Sequence, residues 1–223
     1  MIKKILSYII PISVHKQDSQ VSTSLEVLLH NGRYILDTPN TNYSYGSLQR
    51  ILRFGLKKIG FARVREMERI LVMGLAGGSV VRTLIDEIGY QGAMTAVELD
   101  SEVVDIANKY FIINDIDGLD VVIDDAQNFV KTAKQTYDLI IVDIFQDNHM
   151  PDFLFSKVFI NQTISLLNNN GIILFNTMKV RKEDAIRNLR FVEYCKKYAT
   201  VKVLPNVEGS NELLLIFKKD TTS

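Results

Sequence analysis

Residues 69–82 read RILVMGLAGGSVVR, and the fold turns on this stretch. Ile70–Met73 is a short, unbroken apolar run of the kind that forms a strand buried on both faces of a parallel sheet. Gly74-Leu75-Ala76-Gly77-Gly78-Ser79 follows at once. From Val80 to Ile88 the apolar residues then recur at helical spacing. A small-residue turn between strand and helix lets the backbone approach a ligand closely, and the start of the helix favours electron-rich groups. Tight packing of strand against helix is the competing reason for such a turn. There is no Gly-Lys-Ser/Thr, so a triphosphate-binding loop is not supported.

Toward the C-terminus the same unit repeats. Ala93–Leu99, Asp120–Ile123, Leu139–Asp143 and Gly171–Asn176 are further strands. Glu102–Tyr110, Ala126–Ala133 and Phe153–Leu167 are the helices between them. The chain closes with a helix at Lys182–Tyr198 and strands at Thr200–Leu204 and Glu212–Phe217, whose short connection suits an antiparallel pair. Toward the N-terminus, Ser24–Leu29 and Arg33–Asp37 flank Asn31-Gly32, a strong hairpin signal. Tyr45–Ile59 reads as a helix ending at Gly60. The expectation is an α/β protein with a Rossmann-like class I methyltransferase fold. Its sheet is seven-stranded and mostly parallel, with the last strand antiparallel. A small β-hairpin and helix appendage occupies residues 1–60, and the nucleoside-binding domain residues 61–223.

Composition is that of a soluble globular protein. Hydrophobic residues make up 47% of the 223, and charged residues 23%. Lys+Arg and Asp+Glu stand at 26 each, so no net charge draws the chain to nucleic acid or anionic lipid. Arg50, Arg53, Lys57, Lys58, Arg63 and Arg65 do gather near the appendage, either as a solvated helix face or as a local RNA contact. A single cysteine, Cys195, excludes an internal disulfide and a multi-cysteine metal site, and no metal is expected. It reads as a buried thiol. Met1–Ile12 is apolar but shorter than a membrane span, and no small-residue cleavage site follows it. A cytoplasmic protein without membrane contact is expected.

Ligands of open α/β sheets bind at the carboxyl ends of the strands, and four such ends carry chemistry here. The first is the turn at Gly74, Leu75, Ala76, Gly77 and Gly78. The second is Glu98, about 20 residues beyond Gly77, where an acid can accept both ribose hydroxyls. Asp100, two residues on, suits a helix cap. The third is Asp124-Asp125-Ala126, where one carboxylate can accept an adenine amine while the other caps the helix, with Asp125 favoured for the adenine. The fourth is Asp143, at the end of a strongly apolar strand, where an unpaired acid is costly and therefore a candidate for positioning or base chemistry. Asp138, at the opposite end of that strand, reads as structural. NAD would use the same turn and Glu98, but the turn is not G-x-G-x-x-G and Asp125 would then have no role.

These motifs resemble the spermidine synthase (aminopropyltransferase) family over most of the chain. Gly74 to Arg82 follows the family's GGGDGGxxR in outline. Val97-Glu98-Leu99-Asp100 is similar to its VEID, Asp125-Ala126 to its GDG or GDA, and Tyr137 to Asp143 to its YDVIIxD. Tyr43-Ser44-Tyr45-Gly46-Ser47-Leu48 resembles its FSYHEML. The resemblance implies cofactor contacts from the glycine turn, Glu98, Leu99, Asp125, Ala126 and Asp143. It also implies S-adenosylmethionine or its decarboxylated form as cofactor, and makes a homodimer plausible. The departures fall on the substrate side. The family's acid in the glycine motif is replaced by Gly77. Its second acid after Asp143 becomes Gln146 or slips to Asp147, and its Glu in YHE becomes Ser47.

A polyamine is a multiply charged cation, and burying it without paired acids costs several kcal/mol per ion. The sequence therefore favours methyl transfer over aminopropyl transfer, on a small-molecule acceptor. Asp143 is the candidate base, and Tyr45, Gln146, Asp147 and His149 are candidate substrate contacts. His149 also suits an ordinary surface loop. True polyamine aminopropyl transfer and a catalytically inactive nucleoside-binding homologue are the alternatives.

Overall fold

Asn31 and Gly32 turn the chain with φ of 50° and 72°, the pair of left-handed residues that a two-residue hairpin needs. The computed structural model describes residues 2–19, 21, 24–38, 41–42, 47–146 and 149–219. A short helix α1 (Ile2–Leu6) leads into β1 (Ile12–Asp18), β2 (Ser24–His30), β3 (Arg33–Thr38) and β4 (Thr41–Asn42). These form an antiparallel sheet in that order. The appendage is thus larger than the expected hairpin. The added strand β1 is half polar and alternates between exposed and half-buried positions, which is why its sequence carries little strand signal.

Helix α2 (Ser47–Ile59) ends at Gly60, whose φ of 107° lets the chain bend into a second short helix, α3 (Phe61–Arg65), where the sequence suggested none. Gly55 of α2 lies against Leu174 and Leu213 of the central sheet, and a side chain at that position would strike both. Leu25, Val27, Leu36, Ile51, Leu52 and Leu56 join Val72, Leu84 and Leu139 in one continuous apolar cluster. The N-terminal sheet and α2 therefore cover one face of the central sheet.

The central sheet begins with β5 (Arg69–Met73), followed by α4 (Ser79–Arg82), which continues as a π turn over Thr83–Ile88. Thr83 contributes to that widening by donating its hydroxyl to Ser79 O at 3.0 Å. Next come β6 (Ala93–Glu98), α5 (Ser101–Phe111), β7 (Leu119–Ile123), α6 (Ala126–Thr132) and β8 (Tyr137–Val142). The helix expected over Phe153–Leu167 is divided into a 3₁₀ turn (Asp152–Phe155) and α7 (Lys157–Ser165). Ser156 is the cause, because its side chain caps α7 by accepting from Phe159 N at 3.2 Å. β9 (Leu167–Met178) is longer than expected, with an irregular register beside β8 between the pairs Tyr137↔Leu167 and Leu139↔Ile172. The chain finishes with α8 (Lys182–Cys195), β10 (Ala199–Val207) and β11 (Asn211–Lys218).

The strand order is β10-β11-β9-β8-β5-β6-β7. The last strand inserts between β10 and β9 and runs antiparallel to both, whereas β9, β8, β5, β6 and β7 are mutually parallel. This is the expected Rossmann-like class I methyltransferase sheet. Cys195 is fully buried in the second apolar cluster, and burial pushes its thiol up to about 12. Among the described residues, no helix is long and apolar enough to cross a membrane.

Candidate functional site

Backbone hydrogen bonds hold the carboxyl ends of four parallel strands level. Gly74 N donates to Val97 O at 2.9 Å, Asp143 N to Met73 O at 2.9 Å, and Asp124 N to Glu98 O at 3.0 Å. Gly74, Glu98, Asp124 and Asp143 thus form one row across β5, β6, β7 and β8. Above that row lies a cavity of about 420 Å³, within the range of small-molecule sites.

Gly74 opens its floor. Its φ is 95°, and a Cβ there would stand 2.2 Å from the Asp143 carbonyl oxygen, so only glycine fits. Ala76 also lines the cavity, while Leu75, Gly77 and Gly78 do not. Leu75 is buried in the core, and Gly78 packs against Ile113, where a Cβ would lie 2.3 Å from Cδ1. Gly74 and Ala76 thus face the cavity, and Gly78 seats the start of α4 against Ile113 in the segment after α5.

Glu98 lines the cavity, but both of its oxygens are engaged. Oε2 accepts from the N–H of Leu75 at 3.0 Å and of Ala76 at 3.1 Å, and Oε1 from Leu99 at 2.9 Å and Asp100 at 3.2 Å. The carboxylate ties the glycine turn to the end of β6. Burial raises its pKa, and these four donors pull against that rise. Leu99 beside it is 46% exposed, an open apolar surface at the cavity wall.

Asp125 and Asp124 divide their work differently from the sequence reading. Asp125 is itself the cap of α6, its Oδ1 accepting from Gln127 N at 2.7 Å. Among the described residues its Oδ2 has no hydrogen-bond partner. Asp124 instead holds its neighbour's N–H and the Asn128 amide. Both acids and Ala126 line the cavity. Asp100 caps α5, accepting from Glu102 N at 3.0 Å, yet it is buried rather than solvated, and it also accepts a hydrogen bond from Ser19 of the N-terminal segment. Burial raises its pKa.

Asp143 receives one hydrogen bond on Oδ1, from Asn176 Nδ2 at 2.8 Å. Burial pushes its carboxyl up to about 6, and the Asn176 bond only partly offsets this. Gln146 lines the cavity and closes a tight turn with His149, each donating its N–H to the other's carbonyl. His149 is exposed and does not line the cavity, as the ordinary loop reading had it. Tyr45 and Asp147 lie outside the described residues. Asn176 and Asn211 were missed by the sequence reading. The one hint was that the predicted strand ended on Asn176. Asp138 is structural, accepting from Glu68 N, Arg69 N and Asn168 at the far end of β8.

Five carboxylates line the cavity: Glu98, Asp100, Asp124, Asp125 and Asp143. No Lys, Arg or His does so among the described residues. The basic cluster near the appendage is largely engaged within the chain. Arg50 pairs with Glu208 and Arg53 with Glu87, while Arg63 and Arg65 donate to backbone carbonyls.

The spermine/spermidine synthase domain matches residues 54–208, more than half of the chain. The polyamine aminopropyltransferase of Vibrio vulnificus is 36% identical over 118 residues, covering 52% of this chain and 39% of that protein. The match thus spans about two-fifths of the curated relative's length. The spermidine synthase of Thermotoga maritima superposes with a TM-score of 0.69 at 14% identity, over 93% of this chain and 73% of the other. Human methyltransferase-like protein 13, solved with SAH, superposes with a TM-score of 0.66 at 20% identity, over 80% and 85%. At these identities the two superpositions speak for the fold.

Proposed function

Because the chain belongs to the spermine/spermidine synthase domain family, we propose that it transfers an aminopropyl group from decarboxylated S-adenosylmethionine to a small amine. The family match and the curated relatives support this over methyl transfer, which the missing acids had favoured in the sequence. The observation that carries the reading is the cavity's charge: five lining carboxylates with no basic side chain beside them among the described residues. Decarboxylated S-adenosylmethionine is a dication, with a sulfonium and an ammonium. S-adenosylmethionine adds a carboxylate, which such a lining would repel.

The donor supplies a carbon activated by its bond to positive sulfur. The chain's own residues bind, align and accept a proton. Asp125 offers Oδ2 to the adenine amine while Oδ1 keeps the helix capped. Glu98 takes ribose hydroxyls on Oε2 beside the N–H groups of Leu75 and Ala76. Leu99 and Ala126 give the base an apolar wall, and Gly74 and Ala76 leave room for the sugar. Asp143, ionised above about pH 6, receives the proton that the acceptor nitrogen must lose. Alignment supplies much of the remaining rate. A homodimer, as the resemblance implies, belongs to the same proposal.

Calorimetry with both donors tests this reading. Decarboxylated S-adenosylmethionine is expected to bind at least about tenfold more tightly than S-adenosylmethionine, a difference of about 1.4 kcal/mol. Equal or tighter binding of S-adenosylmethionine, with methylated product in an amine panel, overturns it.

A further inference from the structure

The cavity has two unlike halves, and the difference bears on the acceptor. Over β5, β6 and β7 it is lined by Glu98, Asp100, Asp124 and Asp125. Over β8, β9 and β11, Asp143 is the one lining carboxylate among the described residues. The rest of that half is formed by side chains such as Ile144, Phe145, Phe153 and Met178, with the uncharged amides of Gln146 and Asn211. Neighbouring strands are about 4.8 Å apart. A nucleoside with its base at Asp125 and its reacting chain at Asp143 thus crosses from β7 to β8, about 14 Å. The acceptor is left with the β8–β9–β11 half.

An amine with one positive charge finds its partner there in Asp143. Among the described residues, a diamine brings a second ammonium against aromatic rings, a thioether and neutral amides. An ion moved from water to such a wall without a counter-charge loses its hydration and gains no partner. An alkyl or aryl body gains instead, because it buries apolar surface against apolar side chains.

Resting on the aminopropyl-transfer reading, we infer that the acceptor is a primary amine with an uncharged, apolar body. Its nitrogen lies at Asp143 and its body against Ile144, Phe145, Phe153 and Met178. The acceptor nitrogen gives one proton to Asp143. Its freed lone pair forms the bond to the aminopropyl carbon beside sulfur. The carbon–sulfur bond breaks, its electron pair stays on sulfur as a neutral thioether, and the product leaves as a secondary ammonium. Asp143 then releases its proton to water.

Two acceptors of equal length test this: putrescine, and n-pentylamine, which has a methyl where putrescine has its second amine. With saturating decarboxylated S-adenosylmethionine and product detection by mass spectrometry, kcat/KM for n-pentylamine is expected to exceed that for putrescine by about tenfold or more. Gln146→Glu, which places a carboxylate in the uncharged half, is expected to narrow the gap by about tenfold. Equal or faster turnover of putrescine by the unaltered chain overturns the inference and leaves aminopropyl transfer standing. Absence of product from both amines, with the donor shown by calorimetry to be bound, overturns the transfer reading and the inference with it.

Discussion

Asn176 donates from Nδ2 to Oδ1 of Asp143 at 2.8 Å, and its own Oδ1 accepts from Nδ2 of Asn211 at 2.9 Å. Asn176 has no solvent exposure. The ends of β8, β9 and β11 are thereby joined behind one carboxylate, which among the described residues is held by a single donor. Asn176 is a positioning residue on this geometry. Replacing it with Leu removes the donor that favours the charged form of Asp143, so the carboxyl pKa rises further. The acid limb of the pH profile of kcat/KM should move up by about one unit, with kcat reduced about tenfold. A purely structural role would lower activity or stability and leave the limb in place.

Asp143 itself carries a stability cost whose sign is fixed by its titration. Its folded pKa of about 6 lies above the ordinary 3.8, so the folded chain holds this proton more tightly than the unfolded chain. Stability from this group therefore falls as pH rises from about 4 through 6, and the full penalty applies above 6. Asp143→Asn keeps an acceptor for Asn176 and removes the charge. It should stabilise the chain at pH 8 by about 1–3 kcal/mol, with much less gain at pH 4. Turnover should drop by about 10²–10⁴. Thermal melts at the two pH values and single-turnover rates check both parts together.

The strand-end acids were legible in the sequence because each interrupts an apolar run. Glu98 follows Ala96-Val97, and Asp143 follows the four apolar residues Leu139 to Val142, so a charge at either point has to be explained. Gly74 was legible for a related reason, as a residue without a side chain where a strand must give way to a turn. Asn176 and Asn211 carry no such signal. An asparagine after an apolar strand is ordinary turn chemistry. Its meeting with Asp143 depends on β9 lying beside β8, where Val142 pairs with Phe175, and its meeting with Asn211 on β11 inserting beside β9, where Asn211 pairs with Met178. β1 was illegible because it is half polar and its inner positions are only half-buried, so no apolar face marks it. The separate duties of Asp124 and Asp125 depend on which side chain turns back to the start of α6, and two adjacent identical residues do not reveal this.

Glu98 accepts four backbone N–H groups on two oxygens. In Glu98→Gln an amide nitrogen must face one of those donor pairs, leaving N–H opposed to N–H. The variant should lose about 1–3 kcal/mol of stability through misfit at the glycine turn. Its affinity for decarboxylated S-adenosylmethionine should fall about tenfold or more, since the same oxygens serve the ribose. Denaturant titration and calorimetry measure the two effects separately. Unchanged affinity in a folded variant would remove Glu98 from the nucleoside site.

Asp125 permits the sharpest separation of cap from ligand contact, because the two duties fall on different oxygens. In Asp125→Asn the remaining oxygen still accepts from Gln127 N, and asparagine is as good a cap as aspartate. The second position becomes an N–H donor opposed to the donor amine of adenine. Stability should therefore change by less than about 0.5 kcal/mol while nucleoside affinity drops about tenfold. Asp125→Ala removes both duties, and should cost about 1 kcal/mol of stability in addition to the same loss of binding. Equal affinity of the Asn variant and the unaltered chain would show that the adenine amine is held elsewhere, with Asp124 the next candidate because it lines the same cavity.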